Sequence, residues 1–79
     1  MGSLDEMIDW FNGVSPVFRA TKNQIKNVTV VDFSYYSDRK HKPVARLSKY
    51  GFGTVVPMMY GDEELTALDA MKGWLRTNG

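Results

Sequence analysis

The apolar residues of this 79-residue chain repeat with two different periods, and this change of period limits the folds open to it. The first apolar run has residues three or four positions apart, the spacing of one helix face: Leu4, Met7, Ile8, Phe11 and Val14. Ser3 and Glu6 precede it with the spacing of a capping box. We therefore predict a helix that begins after Ser3 and ends at Asn12-Gly13, where glycine readily takes the left-handed cap conformation.

A second helix is predicted near the other end of the chain. It opens at Gly61-Asp62, with Glu63 and Glu64 in the first turn, where the helix dipole favours acids. Arg76 lies near its end, before Asn78-Gly79. Its apolar stripe has the same helical spacing: Leu65, Leu68, Met71 and Leu75, widened by Ala67 and Trp74.

Between the helices the period shifts toward two, which is typical of strands. Val28–Tyr36 is rich in β-branched and aromatic residues and predicts a first strand. Val44–Tyr50 alternates more weakly, and Thr54–Tyr60, with Pro57 favouring an edge, is expected as the third. We expect a connection at 15–24 and a loop at 37–43. Alternation predicts two inward sets: Val31, Phe33 and Tyr35 in the first strand, and Ala45 and Leu47 in the second.

These elements predict an α+β fold in the order helix, three antiparallel strands, helix. Two amphipathic helices can cover one face of a sheet and leave the other face to solvent or to a partner. The length allows one domain, residues 1–79. An exposed sheet edge and an open sheet face both permit a dimer.

The charges are segregated along the chain although the formal net charge is only +1. Residues 1–18 carry three acids and no Lys or Arg, for a net charge of −3. Residues 19–49 carry eight bases and two acids, for +6, and residues 50–79 have −2. The sequence therefore predicts a dipolar molecule with a basic middle rather than a uniformly basic surface.

Candidate chemistry is sparse, and we expect no enzyme, no cofactor and no metal site. The chain has no cysteine, which excludes a thiolate ligand and a cysteine nucleophile. His41 is its single histidine and is expected in a basic loop, where neighbouring cations disfavour a metal ion. Phosphate-binding, nucleophile-elbow, zinc and calcium motifs are missing. With no long apolar run and no secretion signal, we expect a cytoplasmic protein without membrane association.

One stretch is similar to a nucleic-acid-binding family. Lys49-Tyr50-Gly51-Phe52-Gly53-Thr54-Val55 resembles the central octapeptide of RNA recognition motifs, whose aromatic residues stack on bases. The resemblance implies that Phe52 is a stacking residue. The chain departs from that family because Thr54 replaces the second aromatic residue and no strand precedes the first helix.

The expected order of elements also resembles that of double-stranded-RNA-binding domains. Those domains grip phosphates with a lysine-rich start to the second helix. Here Asp62, Glu63 and Glu64 occupy that place and have the wrong sign for phosphate. The topology is similar, but the binding mode of the family does not transfer to this chain.

We hypothesise a small intracellular inhibitor or adaptor that occupies the surface of a protein or nucleoprotein complex. Short, motif-poor chains are common among phage and mobile-element products, including anti-defence proteins of the anti-CRISPR type. Tyr36, Tyr50, Tyr60 and Trp10 would serve as interface anchors. Cross-strand pairing or cover for a thin core explains each of these aromatic residues equally well.

The alternative hypothesis is a small RNA- or DNA-binding module. In that reading the basic residues contact phosphates and the aromatic residues stack on bases. The candidate binding residues under the two hypotheses are Tyr36, Arg39, Lys40, Lys42, Arg46, Lys49, Tyr50 and Phe52. A loop of like charges is also commonly just solvated.

Overall fold

Four antiparallel strands lie between two helices in the order of the chain. The computed structural model describes residues 3–37, 39–54 and 59–79. The elements in chain order are α1 (Leu4–Val14), β1 (Phe18–Ile25), β2 (Val28–Ser37), β3 (Lys40–Ser48), β4 (Gly51–Thr54) and α2 (Asp62–Asn78). The strands pair in the order β1-β2-β3-β4, and every pairing is antiparallel. The predicted α+β class, both helices and the antiparallel sheet are confirmed, and the sheet has four strands where three were predicted.

The additional strand is β1, which lies in the segment expected to be a connection. Phe18 and Ala20 are buried, but all five residues from Thr21 to Ile25 are exposed. β1 is an edge strand of the sheet, and its second half contributes no residue to the core. The segment therefore has no period of two in its hydrophobicity, which is the signal that predicts a strand.

Tight turns replace the loop expected at 37–43. Lys40 is already paired with Ser37 across β2 and β3. At the other end of β2, Ile25 pairs with Val28, so the β1–β2 connection is only two residues long. These two residues, Lys26 and Asn27, both have positive φ, 50° and 68°. Two positive values are characteristic of the hairpin turn whose twist matches that of its strands.

The register of β3 shifts by one residue at Val44. Phe33 pairs with Ala45, but the next residue, Ser34, pairs with Pro43, so Val44 is an extra residue in the ladder. This bulge explains why Val44 and Ala45 are both buried although they are neighbours. It also accommodates Pro43, which has no N–H for the ladder.

The third predicted strand, Thr54–Tyr60, agrees with the structure at one of its three described residues. The strand β4 lies earlier and overlaps it only at Thr54. Met59 and Tyr60 are not in a strand. Residues 55–58 of the prediction, including Pro57, lie outside the described residues.

Both helices pack on the same face of the sheet around one aromatic cluster. Phe11 of α1 and Phe33 of β2 are completely buried, with ring centroids 5.2 Å apart. Phe52 of β4 packs against Phe33 at 6.2 Å. The core cluster is continuous across the helices and the sheet: Leu4, Met7, Ile8, Phe11, Phe18, Ala20, Val31, Phe33, Val44, Ala45, Leu47, Ala67, Leu68, Met71 and Leu75.

The junction of α1 and β1 is held by polar side chains. The side chain of Asn12 accepts the N–H of Ala20 at 2.8 Å and donates to its C=O at 3.1 Å. The buried Ser15 hydroxyl accepts the N–H of Phe18 at 2.9 Å. Arg19 donates to the carbonyls of Asn12 and Ser15 at 2.9 and 2.7 Å, where the negative end of the α1 dipole favours a cation. Since α1 continues to Val14, and Gly13 is not at positive φ, the predicted glycine cap was wrong.

Candidate interaction surface

The side of the sheet away from the helices forms a second, exposed surface. Directly paired residues of an antiparallel sheet share a face, so the register separates the two sides. Asp32 of β2 pairs with Thr21 and Arg46, and none of these three belongs to the core cluster. We call this side the open face and define it by Thr21, Asn23, Ile25, Val28, Val30, Asp32, Ser34, Tyr36, His41, Pro43, Arg46 and Ser48.

A charge-compensated group lies at the centre of the open face and joins three strands. The Arg46 guanidinium donates to the Asp32 carboxylate through Nε at 2.6 Å and Nη2 at 3.4 Å. Asn23 of β1 donates to the same carboxylate at 2.7 Å. Partial burial alone would raise the pKa of Asp32, but the hydrogen bonds from Arg46 and Asn23 and the charge of Arg46 lower it below its ordinary value. The centre of the open face is therefore polar but carries little net charge.

A groove of about 620 Å³ runs over this central group. Thr21 and Asn23 line it on the β1 side, and His41 and Pro43 on the β3 side. At its β4 side lies Gly53, where an added Cβ would meet nothing within 4 Å. The groove is therefore open to solvent along β4. Asn23, Asp32 and Arg46 offer hydrogen-bonding groups to a partner, within a lining that also includes the apolar residues Phe33, Pro43 and Ala45.

Exposed aromatic residues flank the groove at both ends of the strands. At the β2–β3 end, Tyr36 is 47% exposed and its ring stands edge-on to that of His41, with centroids 4.9 Å apart. At the opposite end, Tyr50 is 79% exposed, and the Lys49 ammonium lies 5.3 Å from its ring centroid. The predicted residues Tyr36, Arg46 and Tyr50 therefore lie along one face.

The other predicted basic residues do not form one surface with them. Lys42 is paired with Tyr35, whose ring contacts the core residue Phe18, so the register places Lys42 on the helix side of the sheet. Lys40 lies two residues earlier on the same side. Arg39 is exposed in the β2–β3 turn with φ of 66°. Because the bulge and the pleat divide these residues, the expected continuous basic patch is split between two faces.

Several predicted aromatic anchors are used by the core. Phe52 packs on Phe33 from the helix side, opposite to Arg46, so it does not lie where a base stacked on the open face would be. Trp10 and Tyr60 also pack against the core, and Tyr60 lies 5.2 Å from Phe18. Burial, followed by the charge of Glu64, raises the pKa of Tyr60 to about 12.

Sequence reasoning missed three residues of the open face, Thr21, Asn23 and Ile25, because β1 was not predicted. It also assigned no place to Lys26, because the β1–β2 hairpin was not recognised. The available signal was Lys26-Asn27, since asparagine readily accepts positive φ in a two-residue turn. Asp32 was placed on the correct side by alternation, but its partners depend on pairing across strands.

The described ranges, with gaps at 38 and 55–58, contain no group of three or more His, Asp or Glu side chains placed to hold a metal ion. Within the same part of the chain, no helix is long and apolar enough to cross a membrane. The order of the described elements also differs from that of the RNA recognition motif, because all four strands follow α1 without a second helix between them. The four strands likewise depart from the three of a double-stranded-RNA-binding domain.

Comparison of the chain with protein-family models, with curated proteins and with solved structures gives no match in any of the three.

Proposed function

We propose that this protein is a non-enzymatic binding protein that acts as an inhibitor or adaptor by covering the surface of a protein partner, either free or within a nucleoprotein complex. The observation that carries the proposal is the open face, where the paired charges of Asp32 and Arg46 lie between exposed Tyr36 and Tyr50. Tyrosine and arginine are enriched in protein interfaces.

The dimensions of the open face fit a binding role. The ten residues of β2 span about 33 Å at about 3.3 Å per residue, and strands about 4.8 Å apart give the face a width of roughly 15 Å. The projected area is thus on the order of 500 Å². Side-chain relief makes the accessible area larger, so the face approaches the roughly 800 Å² per partner of a standard interface.

The charge arrangement favours a protein partner over nucleic acid for this face. Nucleic-acid binding depends on unpaired cations that follow the phosphates. Arg46 already binds Asp32 at 2.6 Å, and Lys40 and Lys42 lie on the other side of the sheet. A polyanion laid along the centre of the open face would therefore meet one compensated arginine and the Asp32 carboxylate.

One observation supports nucleic acid as a second candidate function. Arg39, Lys40 and Lys42 are exposed, and within the described residues none of them has a carboxylate within 4.0 Å. They lie at the same end of the sheet as Tyr36. Three phosphate contacts at this end would give a slope of about −2 to −3 for log K against log salt concentration.

Site-specific photocrosslinking combined with affinity capture tests the first candidate. A photoreactive amino acid at Pro43, on the open face, should crosslink the captured partner, whereas one at Thr66, exposed on α2, should not. Tyr36→Ala with Tyr50→Ala should reduce capture at least about tenfold, because aromatic anchors carry most of an interface's binding energy. Met59→Ala with Leu65→Ala is the matched control, since both side chains are exposed and lie outside the open face.

Capture that survives the tyrosine double variant, or crosslinks formed at Thr66 instead of Pro43, would contradict the proposal. The second candidate is measured separately by gel shift with single- and double-stranded DNA and RNA at 50 mM salt. A shift that disappears when Arg39, Lys40 and Lys42 are changed to Gln would favour nucleic-acid binding. Circular dichroism of each variant verifies that the fold is retained.

A further inference from the structure

A small apolar cleft lies at one end of the open face, between the β1–β2 turn and Tyr50. Its volume is about 230 Å³, and Ile25, Val28 and Val30 supply its aliphatic lining. Val30 is only 4% exposed although it lies on the open face and outside the core cluster. Ile25 is 37% exposed and Tyr50 79% exposed, so the cleft presents apolar area to solvent.

Two lysines lie near the rim of this apolar cleft, Lys26 in its lining and Lys49 beside the Tyr50 ring. The Lys49 ammonium is 5.3 Å from the centroid of that ring. The only ion pairs within the described residues are Lys22–Asp5 and Arg46–Asp32, so neither Lys26 nor Lys49 has a carboxylate within 4.0 Å. The charges at this rim are therefore uncompensated, in contrast to the centre of the open face.

From this geometry we infer that the cleft binds an acidic segment of the partner protein through one large apolar side chain. The aliphatic floor and the Tyr50 ring would enclose the apolar side chain, and Lys26 and Lys49 would attract flanking carboxylates. A cavity of 230 Å³ accommodates one side chain rather than a whole helix face. The inference deepens the proposed function, on which it rests, by giving the chemistry of the partner.

The chemistry of the cleft favours a peptide over a stacked nucleotide. An aliphatic floor gains from the burial of a hydrocarbon or aromatic side chain. Two polar residues that line the cleft are already engaged, since Arg46 binds Asp32 and the Ser48 hydroxyl accepts the Tyr50 N–H, so few free groups remain for the edge of a base. One face of Tyr50 is also shared with the Lys49 ammonium. The lysines attract any anion, so the apolar side chain is the feature that distinguishes a peptide from a nucleotide.

The test uses three synthetic heptapeptides with blocked ends. The first has Phe at its centre and Asp or Glu at the other six positions. The second replaces the Phe with Ala, and the third keeps the Phe but carries Lys or Arg at the six positions. Titrations of the full chain are followed by the methyl NMR signals of Ile25, Val28 and Val30.

We expect the acidic Phe peptide to shift these methyl signals and to bind at least about tenfold more tightly than either other peptide. Tyr50→Ala should weaken it by a similar factor, since a tenfold loss is an ordinary effect of removing an interface anchor. Lys26→Glu with Lys49→Glu should reverse the preference toward the basic peptide. Lys40→Glu with Lys42→Glu is matched in total charge but lies at the other end of the sheet, and it should change affinity less than about twofold because exposed charges farther apart than the Debye length are screened.

The inference is overturned if the acidic Phe and Ala peptides bind equally, or if the two double charge reversals have the same effect. It is also overturned if a single-stranded oligonucleotide binds the cleft more tightly than the acidic Phe peptide. If the protein self-associates, and if both Tyr50→Ala and Leu65→Ala abolish this association, the occupant of the cleft would be a second copy of this chain. That result would contradict the inference. Partner capture that requires Tyr36 but survives Lys26→Glu with Lys49→Glu would refute the cleft assignment while leaving the proposed function intact.

Discussion

Replacing Asn12 by Ala should destabilise the fold, because the Asn12 side chain forms hydrogen bonds with the backbone at the outer edge of β1. The Asn12 amide bonds both the N–H and the C=O of Ala20, at 2.8 and 3.1 Å. Ala20 is only 4% exposed, so water does not readily replace both bonds. The variant would leave the partly buried N–H and C=O of Ala20 without their side-chain partner.

The magnitude follows from these two hydrogen bonds. Each contributes about 0.5–1.5 kcal/mol, with a larger cost if a group stays buried and unpaired. Alanine gains roughly 0.5 kcal/mol of helix propensity over asparagine. The expected net loss is therefore about 0.5–2.5 kcal/mol, against a total of roughly 4–12 kcal/mol for a domain of this length.

Urea denaturation followed by circular dichroism measures the loss. With a slope near 1 kcal/mol per M for a small domain, the midpoint should fall by about 0.5–2.5 M without a change of slope. Amide exchange at Ala20 should also accelerate. Asn78→Ala is the control, since that exposed residue makes one bond, to the Trp74 carbonyl at 3.2 Å, and we expect a change within about 0.5 kcal/mol. An Asn12→Ala midpoint equal to that of wild type would refute the argument that Asn12 supports β1.

The remaining predictions concern one glycine and two titrating groups. Gly73→Ala should stabilise the protein by about 0.5–1 kcal/mol, because Gly73 is inside α2 and an added Cβ meets nothing within 4 Å. A lower Tm of this variant in calorimetry would contradict the prediction. The lowered pKa of Asp32 stabilises the fold above the ordinary carboxyl pKa of about 4, and this contribution is lost as the pH falls further. The difference in urea midpoint between wild type and Asp32→Asn should therefore shrink below pH 4, and a constant difference down to pH 2 would contradict the assignment. Since the pKa of Tyr60 is raised to about 12, the folded state keeps a proton that the unfolded state loses above about pH 10, so stability falls as the pH rises through this window. Tyr60→Phe should flatten that decline, which alkaline urea titrations would detect, and an unchanged slope would speak against it.

The helices were predictable because their packing is encoded locally. An apolar stripe at helical spacing needs only one surface to pack against, so the residues of α1 and α2 identify themselves whatever the sheet does. The alternation of β2 was equally clear: Val31 and Phe33 are buried in the core, and Asp32 points to the other side. Charge arithmetic along the chain also located the basic middle.

The edge strand β1 was not predictable, because only Phe18 and Ala20 of its eight residues are buried. Its position depends on Asn12 and Ser15 of the preceding segment and on the ladder with β2, which are contacts between residues that sequence periodicity does not register. The bulge at Val44 was missed for the same reason. A one-residue shift in register changes which residues of neighbouring strands share a face, but it leaves no mark in the periodicity of the sequence.

The sequence by itself determined the fold class, the two helices, the side of the sheet on which Asp32 and Arg46 lie, and the set of cations and tyrosines available for binding. The tertiary structure alone decided which of them act together: Arg46 is compensated by Asp32, Lys40 and Lys42 face the helix side, Phe52 enters the core, and the rim of the cleft keeps free charge at Lys26 and Lys49. The physical reason is that the spacing of buried residues within one helix or strand is set by residues close together in the chain. Which charges compensate each other is set instead by strand register, which brings together residues such as Asp32 and Arg46, fourteen positions apart.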